Sequence, residues 1–101
     1  MGRVGKVGQT PAIAVTIYSR PGCHLCDDMK AVVLRTVERT GVDVQIEEID
    51  ISTDANLEAR YGTEIPVLLL DGRKAAKYRI SDLELARLLR ARLDEARDSR
   101  A

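Results

Sequence analysis

The sequence predicts an α/β domain in which four strands and three helices follow one another in the order β-α-β-α-β-β-α. Two observations carry this prediction. A β-branched strand pattern is followed by a helix-spaced apolar pattern and a second strand, and such a strand–helix–strand unit favours parallel, right-handed pairing. Further along, Asp71-Gly72 separates two more strand candidates, which favours a tight turn between antiparallel neighbours. The sheet is therefore expected to be mixed.

The first half of the chain contains the strand–helix–strand unit. Residues 12–18 form a β-branched run that predicts a buried strand. The helix that follows has about four turns and ends at Gly41, since glycine is common just after the last helical residue. Val44–Asp50 alternates in part and predicts the second strand. The apolar positions that define the helix are Leu25, Met29, Val32, Val33 and Val37.

The second half contains the remaining four elements. Asp54 and its neighbours can cap a short helix over 56–61. The continuous apolar run 65–70 predicts a strand buried on both faces, and the more polar run 73–78 predicts its partner at a sheet edge. Ser81 has the spacing of a capping box with Glu84, so the last helix begins there. The apolar stripe of this helix consists of Leu85, Leu88, Leu89 and Leu93.

Composition limits the classes of protein that fit. The 101 residues suffice for one domain, and 16 Lys+Arg balance 16 Asp+Glu, whereas nucleic-acid binders are usually strongly basic. No stretch approaches the roughly 18 apolar residues of a membrane span, and no apolar signal segment follows the basic N-terminus. We therefore expect a cytoplasmic monomer without a nucleic-acid or membrane partner. Because Phe and Trp are absent, the core must be aliphatic.

Three segments are expected along the chain. Residues 1–11 include three glycines within the first eight positions, which predicts a flexible N-terminal tail. Residues 12–95 hold all the predicted helices and strands and form the domain. Residues 96–101 are polar, and we expect this C-terminus to fray.

Cys23 and Cys26 lie where the first strand turns into the first helix, and Cys23 is predicted to be the N-cap of this helix. The first turn of a helix carries unpaired N–H groups and the positive end of the helix dipole, and both stabilise an anion. We therefore expect a lowered pKa for the Cys23 thiol, whose thiolate is the nucleophile. Cys26 is close enough in the first turn to attack a mixed disulfide formed at Cys23. The pair thus predicts a two-step dithiol exchange.

Other roles for this pair of cysteines remain open. Zinc needs four ligands, and His24 is the only further Cys or His in the chain, so no metal site is expected in a monomer. An iron–sulfur cluster shared between two chains is an alternative, and two buried structural thiols are another. His24 is either a cation that favours the thiolate or an exposed polar residue of the first helical turn.

Pro66 stands near the start of a predicted buried strand, where a residue without an N–H cannot donate to the sheet. A cis peptide bond between Ile65 and Pro66 would account for it. This geometry would bring the Ile65 backbone beside the cysteines, where it can pair with a substrate chain. The alternative is a trans proline at a strand edge.

Two segments resemble a known family. Residues 18–26, Tyr-Ser-Arg-Pro-Gly-Cys-His-Leu-Cys, are similar to the strand-to-helix redox motif of glutaredoxins. Residues 61–72 resemble the cis-proline strand and turn that thioredoxins and glutaredoxins share. The resemblance covers about residues 12–95, and small bacterial glutaredoxin-like proteins are the most similar group. It implies a thioredoxin-type fold, a four-stranded mixed sheet with the third helix on one face.

The resemblance also implies roles for individual residues. Cys23 would be the nucleophile and Cys26 the resolving thiol. Arg20 stands where glutaredoxins keep a basic residue that holds a glutathione carboxylate, and Ile65-Pro66 would form the wall that pairs with a glutathione or peptide backbone. Ser81-Asp82 remains from the motif that grips the glutamyl end of glutathione, although the preceding pair of glycines is replaced.

The function predicted from these features is thiol–disulfide exchange that reduces disulfides of proteins or small molecules. No bound cofactor is expected. Glutathione, another low-molecular-weight thiol or a flavin reductase would supply the electrons. The alternatives are a thioredoxin-fold binding module whose cysteines matter little, and the dimeric cluster protein described above.

Overall fold

The structure is a computed structural model that describes residues 12–100, with side chains described up to residue 95. The predicted tail, residues 1–11, lies outside the described residues. The predicted frayed segment falls on the last turns of the final helix and on residue 101, and it stays a prediction. The elements are β1 (Ile13–Ser19), α1 (His24–Thr40), β2 (Val44–Asp50), a 3₁₀ turn (Ile51–Thr53), α2 (Ala55–Tyr61), β3 (Val67–Leu70), β4 (Arg73–Lys77) and α3 (Asp82–Arg100).

The sheet is mixed and has the strand order β2-β1-β3-β4. β1 pairs in parallel with β2, as the helical crossover between them requires. β3 is antiparallel to both β1 and β4, and Val67 lies opposite Tyr18. The predicted fold class and element order are therefore confirmed. β2 and β4 form the two edges.

The core lies between one face of the sheet and helices α1 and α3. Ile17 and Leu68, on the two central strands, have no exposed surface. Alternate residues of β1 point to this face because side chains of a strand alternate in direction. The other buried members of this aliphatic cluster are Ile13, Val15, Met29, Val33, Leu70, Leu85 and Leu89.

Helix α2 meets the opposite face of the sheet through two tyrosines. Tyr18 follows Ile17 and therefore points away from the main core. Its ring centroid lies 4.8 Å from that of Tyr61, at the end of α2. The two rings pack at a tilt of 42°, and their separation lies in the range that aromatic pairs favour. This contact places the end of α2 beside β1.

The predicted turns and caps are confirmed. Gly41 adopts a left-handed conformation with φ of 71°, and its N–H donates to the Val37 carbonyl, which ends α1. Asp71 and Gly72 both have positive φ, 51° and 84°, as the two-residue turn of a β-hairpin requires. Asp54 caps α2 by accepting hydrogen bonds from two backbone N–H groups.

The bounds of three strands differ from the sequence prediction. β1 covers Ile13–Ser19 rather than 12–18. β3 begins at Val67 rather than at residue 65, because Pro66 has no N–H to donate to the ladder. β4 ends at Lys77 rather than Tyr78, which turns away with φ of 71°. Of the helices within residues 12–100, none is long and apolar enough to cross a membrane.

Candidate active site

Cys23 is the N-cap of α1, as predicted. Its backbone is extended, with φ of −91° and ψ of 110°, and the carbonyl accepts the first helical bond from the Asp27 N–H. The Cys23 sulfur accepts a hydrogen bond from the Cys26 N–H at 3.1 Å. The sequence folds this way because Gly22, with φ of 79°, lets the chain turn sharply after β1. One unpaired donor of the helix therefore points at the Cys23 sulfur.

The two cysteines form a disulfide with a Cα–Cα distance of 5.2 Å. Their exposures differ, since Cys23 is half-buried and Cys26 is only 2% exposed. Cys23 is therefore partly accessible to solvent, whereas Cys26 is shielded by the body of the domain. The two cysteines therefore differ in accessibility although they are joined to each other.

His24 lies between the cysteines on the first turn of α1 and is exposed. Within the described part of the chain its ring has no hydrogen bond or ion pair, so nothing holds the imidazole against the sulfurs. The choice between an electrostatic role and a plain surface position stays a prediction.

Arg20 immediately follows β1 and forms an ion pair with Glu58 of α2. Its Nη2 atom also donates to the Gly62 carbonyl at 3.4 Å. The glycine matters here, since a Cβ at this position would lie 2.6 Å from the Glu58 carbonyl oxygen and 3.2 Å from Arg20 Nη2. The guanidinium implied to hold a glutathione carboxylate is thus already bound to a carboxylate of the protein.

A second polar link lies between the sheet and α1. Ser19, 4% exposed at the end of β1, donates to Glu48 at 2.9 Å, and Lys30 donates to the other carboxylate oxygen at 2.8 Å. The Lys30 and Ser19 hydrogen bonds lower the pKa of Glu48, against the opposing effect of partial burial. This network connects β1, β2 and α1 at the end of the sheet that carries the cysteines.

The Ile65–Pro66 peptide bond is cis, as predicted. Pro66 is buried and directly precedes β3, where Val67 pairs with Tyr18. Because β1 continues past Tyr18 into the cysteine loop, this register places Pro66 at the same end of the sheet. The predicted substrate-binding role of Ile65 and Pro66 stays a prediction, and their placement at this end is consistent with it.

Ser81 and Asp82 stabilise α3 and its contact with α1. The Ser81 hydroxyl oxygen accepts a hydrogen bond from the Glu84 N–H at 3.1 Å, which is half of the predicted capping box. The other half is absent from the described bonds, since the Glu84 carboxylate binds Arg87. Asp82 accepts two hydrogen bonds of 2.7 Å from Arg35 of α1. A ligand that bound Asp82, as the resemblance implies, would therefore compete with Arg35 for its carboxylate.

A shallow groove of about 390 Å³ lies beside the cysteine motif. It is lined by Leu25 and Asp28 of α1 and by Arg79, Ile80 and Ser81, which precede α3. Sequence reasoning placed only Ser81 in a site. The position of Leu25 could have been predicted from the sequence, because the residue lies between the two cysteines. The positions of Arg79 and Ile80 could not have been predicted in this way, since only the packing of α3 brings them to α1.

Replacing Asp82 with asparagine should make the stability of the protein less dependent on pH in the acidic range. The Arg35 hydrogen bonds lower the pKa of Asp82 from 3.8, against the smaller opposing effect of desolvation. A lowered folded-state pKa contributes stability above the unfolded value, and this contribution is lost as pH falls through the folded value. Asp82→Asn should therefore be less stable than the natural protein at about pH 7, and the difference should shrink towards about pH 3.

Urea unfolding across this pH range measures the effect. Glu47→Gln is the matched control, since Glu47 is exposed on β2 and makes no ion pair with any described residue. A stability difference for Asp82→Asn that stays constant with pH would contradict the role of the ion pair.

Among residues 12–95, no three or more His, Cys, Asp and Glu side chains come together in a way that could hold a metal ion.

Comparison with known sequences identifies similar proteins. The model of the glutaredoxin-like domain family (DUF836) matches residues 14–90. A glutaredoxin-like protein of Dictyostelium discoideum is 31% identical over 78 residues, which cover 73% of this chain and 72% of that protein. An uncharacterized protein of Mycobacterium tuberculosis is 26% identical over 74 residues, covering 70% of this chain and 76% of that one.

Solved structures share the architecture. The solution structure of protein XcR50 from X. campestris matches with a TM-score of 0.62 and 33% identity, over 77% of this chain and 94% of that one. Thioredoxin-2 of the malaria parasite matches with a TM-score of 0.59 and 15% identity, over 79% of this chain and 82% of that one. The second likeness shows the fold alone.

Proposed function

The chain belongs to the glutaredoxin-like family of the thioredoxin superfamily, and we propose on that basis that it is a thiol–disulfide oxidoreductase. The observation that carries the proposal is the asymmetry of the cysteine pair. Cys23 caps α1 and is half-buried, whereas Cys26 is 2% exposed and joined to it. The Cys23 sulfur can attack a substrate disulfide from solution, and the Cys26 sulfur can then attack the mixed disulfide and release the substrate.

The proposed reaction transfers two electrons from the dithiol to a disulfide. The Cys23 thiolate attacks one sulfur of the substrate, a new S–S bond forms, and the other substrate sulfur leaves and takes up a proton. The Cys26 thiol then loses its proton and attacks the Cys23 sulfur. The first substrate sulfur leaves as a thiol, and the protein is left with the Cys23–Cys26 disulfide, the state of the structure.

Two features support the first step. The Cys26 N–H already donates to the Cys23 sulfur, and a hydrogen bond to sulfur favours the thiolate over the thiol. The positive end of the α1 dipole acts in the same direction. Arg20 contributes less to stabilising the thiolate, because its guanidinium is already paired with the Glu58 carboxylate. Stabilisation of the thiolate therefore depends mainly on the helix.

The proposed cycle needs a reductant that returns the disulfide to the dithiol. Glutathione, another low-molecular-weight thiol or a flavin reductase would serve, and no bound cofactor is required, because the electrons pass between sulfur atoms. The proposed clients are disulfides of proteins or small molecules. We place this activity in the cytoplasm, where thiols are kept reduced, and assign it to a monomer.

Insulin reduction tests the proposal. With dithiothreitol as the reductant, the protein should shorten the time before the insulin B chain precipitates, and the effect should grow with protein concentration. A rate no higher than that of dithiothreitol alone would contradict the proposed function. It would favour a binding module that keeps the fold and the cysteines without the reaction.

A further inference from the structure

Tyr78 has an unusual backbone conformation just after β4. Its φ is 71°, and the Arg79 N–H donates to the Lys77 carbonyl at 2.8 Å across it. A hydrogen bond between residues two apart, with positive φ at the middle residue, defines the rarer and more strained form of γ-turn. A bulky side chain rarely adopts this conformation, so surrounding contacts must hold it.

Those contacts attach Tyr78 to both ends of the segment that leads into β3. The Tyr78 N–H donates to the Pro66 carbonyl at 2.8 Å. The Tyr78 hydroxyl donates to the Thr63 carbonyl at 3.0 Å. Tyr78 is nonetheless 42% exposed, so burial of its ring is not the reason for its position. The two hydrogen bonds of Tyr78 therefore bridge Thr63 and Pro66, the two ends of this segment.

The segment that Tyr78 spans lies close to the cysteine motif. It begins next to Gly62, whose carbonyl accepts from Arg20, and it ends at Pro66, at the sheet end where β1 leads to Cys23. The chain on the other side of Tyr78 also reaches the motif. Arg79 and the two residues after it line the groove beside Leu25 and Asp28.

We propose that Tyr78 is a positioning residue that sets the distance between these two chain segments and so shapes the surface that receives a polypeptide substrate. This inference rests on the proposed function. Tyr78 does not take part in the sulfur chemistry, because its hydroxyl and N–H bind the backbone carbonyls of Thr63 and Pro66, and its ring lies 5.5 Å from the Lys77 ammonium. Loss of its hydroxyl should weaken substrate binding and leave the exchange step intact.

The test is the steady-state kinetics of insulin reduction by Tyr78→Phe, with dithiothreitol as the reductant. The variant loses one hydrogen bond and keeps the ring, so we expect KM for insulin to rise roughly fivefold, the effect of one typical hydrogen bond. The kcat and the rate of Cys23 alkylation should not change. Tyr61→Phe is the matched control, because the Tyr61 hydroxyl makes no hydrogen bond with any described residue, and its KM should equal that of the natural protein.

A second variant covers the case in which Tyr78→Phe fails to fold. Tyr78→Gly accepts positive φ without strain and also lacks the hydroxyl, so the same rise in KM is expected. An unchanged KM in the folded variants, with an active natural protein, overturns this inference alone. A fall in kcat or in Cys23 alkylation overturns it too, since it would place Tyr78 in the chemistry. An inactive natural protein overturns the proposed function and this inference together.

Discussion

Cys23→Ser should abolish disulfide reduction, with a loss of at least about a thousandfold, because a serine hydroxyl is not ionised at neutral pH and cannot replace the thiolate. The fold should survive the change. Cys23 acts as an N-cap through its side chain, and serine is among the best residues for this position. Insulin reduction with dithiothreitol measures the activity, and circular dichroism compares the variant with the natural protein in reducing conditions.

Cys26→Ser is the matched variant and should behave differently. Its Cys23 can still attack a disulfide, but no second thiol is present to resolve the product, so a covalent complex should accumulate. Incubation of this variant in a cell lysate, followed by mass spectrometry of the proteins bound through Cys23, would identify the clients. If Cys26→Ser accumulates no mixed disulfide, or if Cys23→Ser keeps its activity, the assignment of nucleophile and resolving thiol is wrong.

Leu85→Ala should cause a large loss of stability. Leu85 is 1% exposed and belongs to the cluster between the sheet and the two long helices. Removal of a buried leucine side chain costs its transfer free energy and leaves a cavity, together about 3 kcal/mol. For a domain of this size, the melting temperature should fall by roughly 15 °C.

Leu83→Ala provides the control for this prediction. Leu83 lies two residues earlier in the same helix but is 77% exposed. Both variants make the same chemical change in one helix, so the difference between them isolates burial. Thermal unfolding of the disulfide form should show a change below about 0.5 kcal/mol for Leu83→Ala. Equal losses in the two variants would mean that α3 does not pack on the sheet as described.

The sequence predicted those features that depend on a few neighbouring residues. Gly41 ends α1, Asp71-Gly72 makes the hairpin turn and Cys23 caps α1, and each depends on backbone chemistry within one turn. The Ile65–Pro66 bond was predictable for the same reason, because a residue without an N–H is out of place in a buried strand. Local rules of this kind also gave the element order.

The partners of charged side chains were not predictable. Arg20 and Glu58 are 38 residues apart in the chain, and Arg35 and Asp82 are 47 apart. The resemblance assigned Arg20 and Asp82 to a ligand, whereas both are paired within the protein. Tyr78 was also missed, because nothing in its neighbourhood indicates positive φ, and its hydrogen-bond partners are brought to it only by the pairing of β3 with β4. Contacts of this range follow from packing, which local rules do not describe.

The arrangement of the sheet has a consequence for self-association. Among the described residues, its two outer strands pair on one side only, and strand edges of this kind can template polymerisation. The acidic side chains of β2 are Glu47, Glu48 and Asp50, and the basic side chains of β4 are Arg73, Lys74 and Lys77. Two molecules that met through identical edges would set like charges opposite one another, which opposes pairing. This repulsion applies to identical edges only, because the acidic β2 edge of one molecule and the basic β4 edge of another carry opposite charges, which favours their pairing.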